Sequence, residues 1–267
     1  MSYYLRLYAA QFHKNFAVQI QYRVAAAIWL IGAVMQPAVY LVVWVTVAQT
    51  QGGAVGGLTV GDFAAYYITL MYVEHLTFTW IMWEFDWRIR EGVFSSALLL
   101  PVHPIHDDVA MNIAYKLLGL VLLIPAGFLL AWTFRPAFNF ELLNILLFIP
   151  VFIFSFIMRF LLGYTLGLTA FWTNRISALI STYFVLQLFF SGRLTPLELL
   201  PPPLQTLANI LPFQWFVAFP VDLLLGRVEA AERFPSLLIQ FAWLVAIYIL
   251  FRLVWQRGVR KYSAFGS

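Results

Sequence analysis

The chain has 267 residues, 63% of them hydrophobic and 10% charged, with a net charge of +4. A soluble domain carries about 45–50% apolar and about 25% charged residues, so the composition excludes one, and the positive balance suits loops held against anionic lipid better than a nucleic-acid surface. The absence of cysteine excludes disulfides and thiolate metal sites and leaves the compartment open.

Residues 1–23 are not a span. Leu5, Tyr8, Phe12, Phe16 and Ile20 recur every three or four residues, with Arg6, Gln11, His13, Lys14, Asn15 and Gln19 around the rest. That pattern predicts an amphipathic helix lying in the membrane interface. No signal peptide is expected: the first apolar run is longer than an h-region and no small-residue cleavage site follows it.

Six apolar stretches then read as membrane-spanning helices, at about 24–47, 62–83, 109–132, 142–172, 175–191 and 235–255. The fourth is longer than a bilayer needs and should tilt or project. The expected fold class is an all-α polytopic membrane protein forming one domain over residues 1–267. QGGAVGG at 51–57 reads as a flexible loop.

Lys and Arg orient the spans. With the N-terminus inside, the inner segments hold Arg6, Lys14, Arg23, Arg88, Arg90, Arg175, Arg252, Arg257, Arg260 and Lys261, and the outer ones Arg135, Arg193, Arg227 and Arg233. Lys116 and Arg159 lie within spans. The bias predicts a multi-pass inner (plasma) membrane protein with both termini cytoplasmic.

The connection between the second and third spans, residues 84–108, is unusually long and charged. Glu84 and Arg88 are four apart, as are Asp86 and Arg90, acid first in both, the better order for helical pairs. Trp80, Trp83 and Trp87 form an aromatic stripe. The second span should therefore continue as a helix past the membrane surface. Gly92 permits a break, SSALLL starts a short helix, Pro101 and Pro104 end it, and Asp107 or Asp108 can cap the third span. A partly apolar cytoplasmic elbow is costly to leave bare, so it should dock on another protein.

Within residues 196–227 the run from Leu204 to Leu225 resembles a seventh span, but Pro212 and Pro220 divide it. Two short helices dipping into the outer leaflet and returning are expected instead, within an external hairpin at 192–234. Broken backbone at that depth needs cover from protein or a water-filled cavity.

Three intramembrane ionisable residues, Glu74, His75 and Arg159, are functional candidates. A Glu74–Arg159 pair would either line a path or fasten two helices, and a proton relay through Glu74 and His75 is the alternative mechanism, that of a proton-coupled secondary transporter. His103, His106, Asp107 and Asp108 are spaced too loosely, with prolines between them, to be read as a metal site. Ser155, Ser177, Ser181 and Ser191 belong to no catalytic signature, so no enzymatic site is expected.

The pattern W-x-F-D-x-x-I-R-x-G-x-x-x-x-x-L-L-x-P, Trp83 to Pro101, resembles the connection between the second and third spans of ABC transporter permeases of the type-2 (exporter) class. Ser191 and Gly192, LPF at 211–213, Gly226 and Arg227, and WQRGVRKYSAFG at 255–266 fit the same class in order and spacing along essentially the whole chain. The resemblance implies a permease that pairs with a second permease, identical or a sister chain, above two ABC ATP-binding subunits. It implies that the elbow is the coupling helix, with Arg88, Ile89, Arg90, Glu91, Gly92, Leu98, Leu99, Leu100 and Pro101 at the ATPase contact. It also implies that Leu211, Pro212, Phe213 and Pro220 belong to an external gate. The chain has no G-x-x-x-x-G-K-[ST] phosphate loop, so ATP and its Mg²⁺ are expected on the partner subunit, with no cofactor in this chain.

Overall fold

The computed structural model describes residues 3–173 and 176–261; Arg175 and residues 262–266 of the C-terminal motif lie outside them. The architecture is helical apart from one two-residue strand pair. Helix α1 (Tyr3–Gln21) leads into α2 (Arg23–Thr50). The segment after α2 is not a loose loop. Strands β1 (Ala54–Val55) and β2 (Leu58–Thr59) pair antiparallel, Ala54 opposite Thr59. Gly56 and Gly57 turn between them at φ +56° and +85°, the positive values a two-residue hairpin turn of this hand demands.

Thr59 then starts α3 (Val60–Thr77) with a capping box, its hydroxyl accepting from the Asp62 amide while the Asp62 carboxylate accepts from the Thr59 amide. Every residue from 63 to 71 is buried, because α3 packs against α2 and the helices that follow. Among the described residues four helices are long and apolar enough to cross a membrane: α2, α6 (Ile105–Phe134), α7 (Leu142–Leu168, continued by a 3₁₀ turn to Phe171) and α11 (Arg233–Lys261). They bear the outward apolar side chains, such as Phe128, Leu129 and Trp132. The central α3 can hold Tyr66, Tyr67, Tyr72, Glu74 and His75 because its neighbours, not lipid, surround it.

The expected single helix over 62–83 is interrupted. The chain leaves α3 at Phe78, whose ψ is 145°, and re-enters a helix only at α4 (Ile81–Arg90). The Trp stripe is divided accordingly: Trp80 packs edge-on to Tyr115, ring centroids 4.6 Å apart, while Trp83 and Trp87 face outward. The continuation seats on α7 through a glycine pair. A Cβ at Gly163 would lie 3.0 Å from Thr79, and one at Gly167 would lie 2.8 Å from Phe85. A side chain at Gly167 would force Phe85 to shift and one at Gly163 would crowd Thr79 and Met82, so the two glycines let α4 approach α7 this closely.

Gly92, at φ +69°, turns the chain into α5 (Phe94–Leu98), and α6 begins after Pro104. Neither Asp107 nor Asp108 caps α6. Asp107 instead accepts from Lys14 Nζ (2.6 Å) and Asn15 Nδ2 (2.9 Å), and Tyr8 Oη pairs with His106 Nδ1 at 2.7 Å. These contacts lay α1 along the start of α6. They also set which side of α1 meets the bundle: Tyr8, Gln11, Phe12 and Asn15 turn inward, while Leu5 and Ile20, from the same apolar face as Tyr8 and Phe12, are exposed.

Helix α8 (Ser177–Phe190) has 14 residues, about 21 Å of helix against a hydrocarbon layer of about 30 Å. Its end therefore stops beside the middle of α3. Tyr66 Oη donates to the Gly192 carbonyl at 2.9 Å, and Tyr67 Oη and Trp44 Nε1 donate to that of Leu194 at 2.9 and 3.0 Å. Arg193, assigned from sequence to an outer loop, consequently sits level with Glu74.

Two short helices follow, α9 (Pro202–Ile210) and α10 (Ala218–Leu224), with a 3₁₀ turn at Pro212–Phe216 between them. The breaks fall at Leu211 and Val217. Pro220 is not a breaker: it lies in the first turn of α10, where a missing N–H leaves no hydrogen bond unmade. The freed Trp215 carbonyl accepts from Ser155 Oγ at 2.9 Å and Gln240 Nε2 at 3.0 Å, so the broken backbone is covered by protein.

Candidate functional site

The interruption between α3 and α4 leaves backbone carbonyls without helical partners inside the bundle, where each unmet group costs several kcal/mol. Lys116, from α6, supplies the donor. Its Nζ reaches the Phe78 carbonyl at 2.6 Å and Asn112 Oδ1 at 3.4 Å, and stands 4.8 Å from the centroid of the Phe156 ring. Sequence alone placed Lys116 in a span without a role. Its partner is a main-chain atom that exists as an acceptor only because the helix breaks, and no side-chain pattern announces it.

Glu74 lies one turn before that break. Arg159 on α7 binds it through both guanidinium nitrogens, Nη2 to Oε1 at 2.6 Å and Nη1 to Oε2 at 2.8 Å, and Nη1 also donates to Thr77 Oγ1 at 2.9 Å. Arg159 is 1% exposed and Glu74 13%. A second guanidinium, Arg193, reaches Glu74 Oε1 at 3.5 Å. Its other contacts are neutral amide oxygens, Gln36 Oε1 at 2.8 Å and Gln187 Oε1 at 3.5 Å. The site thus sets two guanidinium groups on one carboxylate.

His75 points elsewhere. Its Nε2 pairs with the Lys116 carbonyl at 3.1 Å, and its ring fills the space that a Cβ on Gly119 would occupy. Tyr72 occupies the corresponding space at Gly127, its hydroxyl donating to the Leu123 carbonyl at 3.1 Å. Glu74 and His75 therefore serve different interfaces, with α7 and α6 respectively.

A cavity of about 950 Å³ opens beside this cluster. It runs along α2 from Gln19 and Tyr22 to Gln36 and Tyr40, walled by Trp29, Phe78, Trp80, Trp83 and Tyr115, with Glu74, His75 and Arg193 on its lining. Its lining is largely apolar and rich in aromatic rings, with a few convergent polar groups, the usual make-up of a small-molecule site.

The elbow divides into an anchored and an open part. Arg88 bonds Asp108 at 2.7 Å and Glu84 at 3.1 Å. Burial would lower its pKa, but the Asp108 and Glu84 carboxylates outweigh that and hold it above the ordinary arginine value. Ile89 is buried and Phe94 fully so, with Phe94 packed 5.1 Å from Phe85. Arg90, paired with Asp86 at 2.9 Å, is exposed together with Glu91 and Pro101. Gly92 and Leu98 are half-buried, whereas Leu99 and Leu100 are 86% and 64% exposed. His103 lies against the Trp255 ring, 4.2 Å between centroids. At the other candidate group, Phe213 and Pro220 are buried, Leu211 and Pro212 partly so, and Phe213 packs 6.1 Å from Tyr183.

A broken, charge-bearing central helix among long apolar ones, a largely apolar cavity with a few polar groups beside the break and an exposed apolar elbow suit a polytopic helical membrane protein that handles a solute. Residues 34–266 match the family described as ABC-2 family transporter protein, and the chain belongs to that family. It is accordingly a multi-pass membrane permease, the membrane-embedded transport subunit of an ABC transporter. The curated proteins contain no match to the chain.

Proposed function

We propose that the chain is the permease of an ATP-driven exporter that alternates access between the two membrane faces. It crosses the membrane six times, by α2, by α3 with α4, by α6, α7 and α11, and by α8 extended through the turn and hairpin that follow it, with both termini on the cytoplasmic side of the inner (plasma) membrane. The whole chain forms one membrane domain, with α1 in the interface, residues 84–108 as the coupling region and 192–234 as a re-entrant external hairpin. Two copies of an ABC ATP-binding subunit sit below a pair of permeases, the second identical or a sister chain.

The observation that carries this reading is the elbow. Leu99 and Leu100 are left bare at its tip, while Arg88 and Ile89 tie its base into the bundle through Asp108 and the α4–α7 contact. An apolar tip on a rigidly held base suits transmission of force from a partner. Motion at the tip would pass along α4 to the break at residues 78–80, and the gating change is a rigid-body shift about that point. Discontinuous helices with charged groups at the break are the usual place where transporters bind and switch. Leu211, Pro212, Phe213 and Pro220 close the opposite end.

Affinity purification of the tagged chain in mild detergent from its native membrane tests the proposal. It should bring down an ATP-binding subunit and ATPase activity, with a second permease band if the pair is mixed. A clean chain without either sinks the reading and returns attention to proton-coupled transport through Glu74 and His75. Arg90→Glu and Glu91→Arg variants should weaken ATPase coupling; full coupling in both removes this stretch from the contact.

A further inference from the structure

We infer that the cavity beside α2 binds an amphipathic organic anion, its charged head at Arg193 and its apolar body along the aromatic wall. The inference rests on the permease reading and names the substrate class of that same site. It follows from how the charges are shared. Arg159 alone satisfies both oxygens of Glu74, at 2.6 and 2.8 Å. Arg193 is thereby left at 3.5 Å from an acid already bidentately bound, with Gln36 and Gln187 amide oxygens as its other contacts. Neutral amides orient a guanidinium without neutralising it. Arg193 lies on the cavity lining, and a planar fork of N–H donors suits a carboxylate, sulfonate or phosphate head.

The rest of the cavity fits the other end of such a molecule. Tyr22, Trp29, Phe78, Trp80, Trp83 and Tyr115 give flat apolar surface, and about 950 Å³ is room for a drug-sized ligand. Aromatic walls also take organic cations. Here Glu74 is the only carboxylate on the lining among the described residues, and its charge is matched by Arg159, so a cation would meet Arg193 with no acid left to offset the repulsion.

The test uses the full chain in nanodiscs of zwitterionic lipid, without its ATPase, and reads quenching of tryptophan fluorescence. Two probes of equal chain length are titrated, a terminally brominated dodecanoate and its trimethylammonium counterpart. Saturable quenching by the anion is expected, with the cation at least about tenfold weaker, the loss of about one charge-assisted contact. Arg193→Gln should weaken the anion by about the same factor and, by removing the repulsion, strengthen the cation, while Arg193→Lys retains anion preference. Gly32→Leu supplies a variant that does not touch the charges: a Cβ there meets nothing, and the added side chain projects into the cavity and should weaken saturable quenching. Phosphatidylglycerol in the nanodisc separates the sources, since competition by it marks a lipid headgroup and indifference to it a free amphiphile. Equal, non-saturating quenching by both probes, unchanged in Arg193→Gln and Gly32→Leu, overturns the inference. That result obtained on a chain that still co-purifies with an active ATPase rejects the ligand class and leaves the permease reading standing.

Discussion

Arg159→Met removes one partner of a buried ion pair and leaves the other. Breaking such a pair costs about 3–5 kcal/mol, because the remaining charge stays buried without compensation. Glu74 retains Arg193 at 3.5 Å, so the lower end of that range is expected. Glu74→Leu leaves Arg159, 1% exposed, with Thr77 Oγ1, the Tyr183 hydroxyl and the Phe78 ring, none of which carries a negative charge, so the upper end is expected. The double variant Glu74→Leu with Arg159→Met removes both charges and keeps similar volume. A buried pair replaced by well-packed apolar groups is commonly neutral in stability, so the two losses should fail to add by at least about 2 kcal/mol. Reversible unfolding in mixed lipid–detergent micelles measures all four corners of the cycle. Strictly additive losses would refute the reading of Glu74 and Arg159 as a closed pair. The same variants separate fastening from transport: recovered stability with lost transport assigns the pair to the path, and recovery of both makes it a fastener.

Lys116→Met leaves the Phe78 carbonyl unmet and should cost about 1–3 kcal/mol in the same unfolding assay; no loss would mean the break is capped by other means. Gly119→Val should displace the His75 ring and cost about 1–3 kcal/mol through overpacking, with His75→Ala restoring part of it in the double variant. Gly167→Leu should push α4 off α7 and disturb Phe85, lowering stability and ATPase coupling together. Leu99→Asp with Leu100→Asp should leave the unfolding midpoint within about 0.5 kcal/mol of the parent, since both are exposed, yet release the ATP-binding subunit on affinity purification.

Much of the helical framework was legible because lipid-facing helices must be apolar over a bilayer's thickness, and α2, α6, α7 and α11 are. The breaks were harder to read. Residues 78–80 contain neither proline nor glycine, so no local rule interrupts the helix there; the carbonyl freed by the interruption is met by Lys116, which is distant in sequence. Conversely Pro220 looked like a breaker and is harmless, because its position within α10 decides the outcome, not its identity. Glu74 and Arg159 could be paired from the sequence by the cost of leaving either alone. Arg193 could not join them: its depth follows from the shortness of α8 and from three aromatic donors, Trp44, Tyr66 and Tyr67, that hold the turn at 191–195. On α1 the periodicity was right, but the inner face shifted because Asp107 draws Lys14 and Asn15 toward α6.

The chain has no cysteine, which allows the central claim, docking of a separate motor on the elbow, to be tested with single introduced thiols. Leu99→Cys, carrying a maleimide-benzophenone label, is irradiated in native membranes alongside a Trp132→Cys control at the other end of α6, about 40 Å along the helix. The account predicts an adduct between position 99 and an ATP-binding subunit, enhanced or weakened by nucleotide, and none from position 132. An adduct from position 132 instead, or none from position 99 in membranes where the ATP-binding subunit co-purifies, would contradict it.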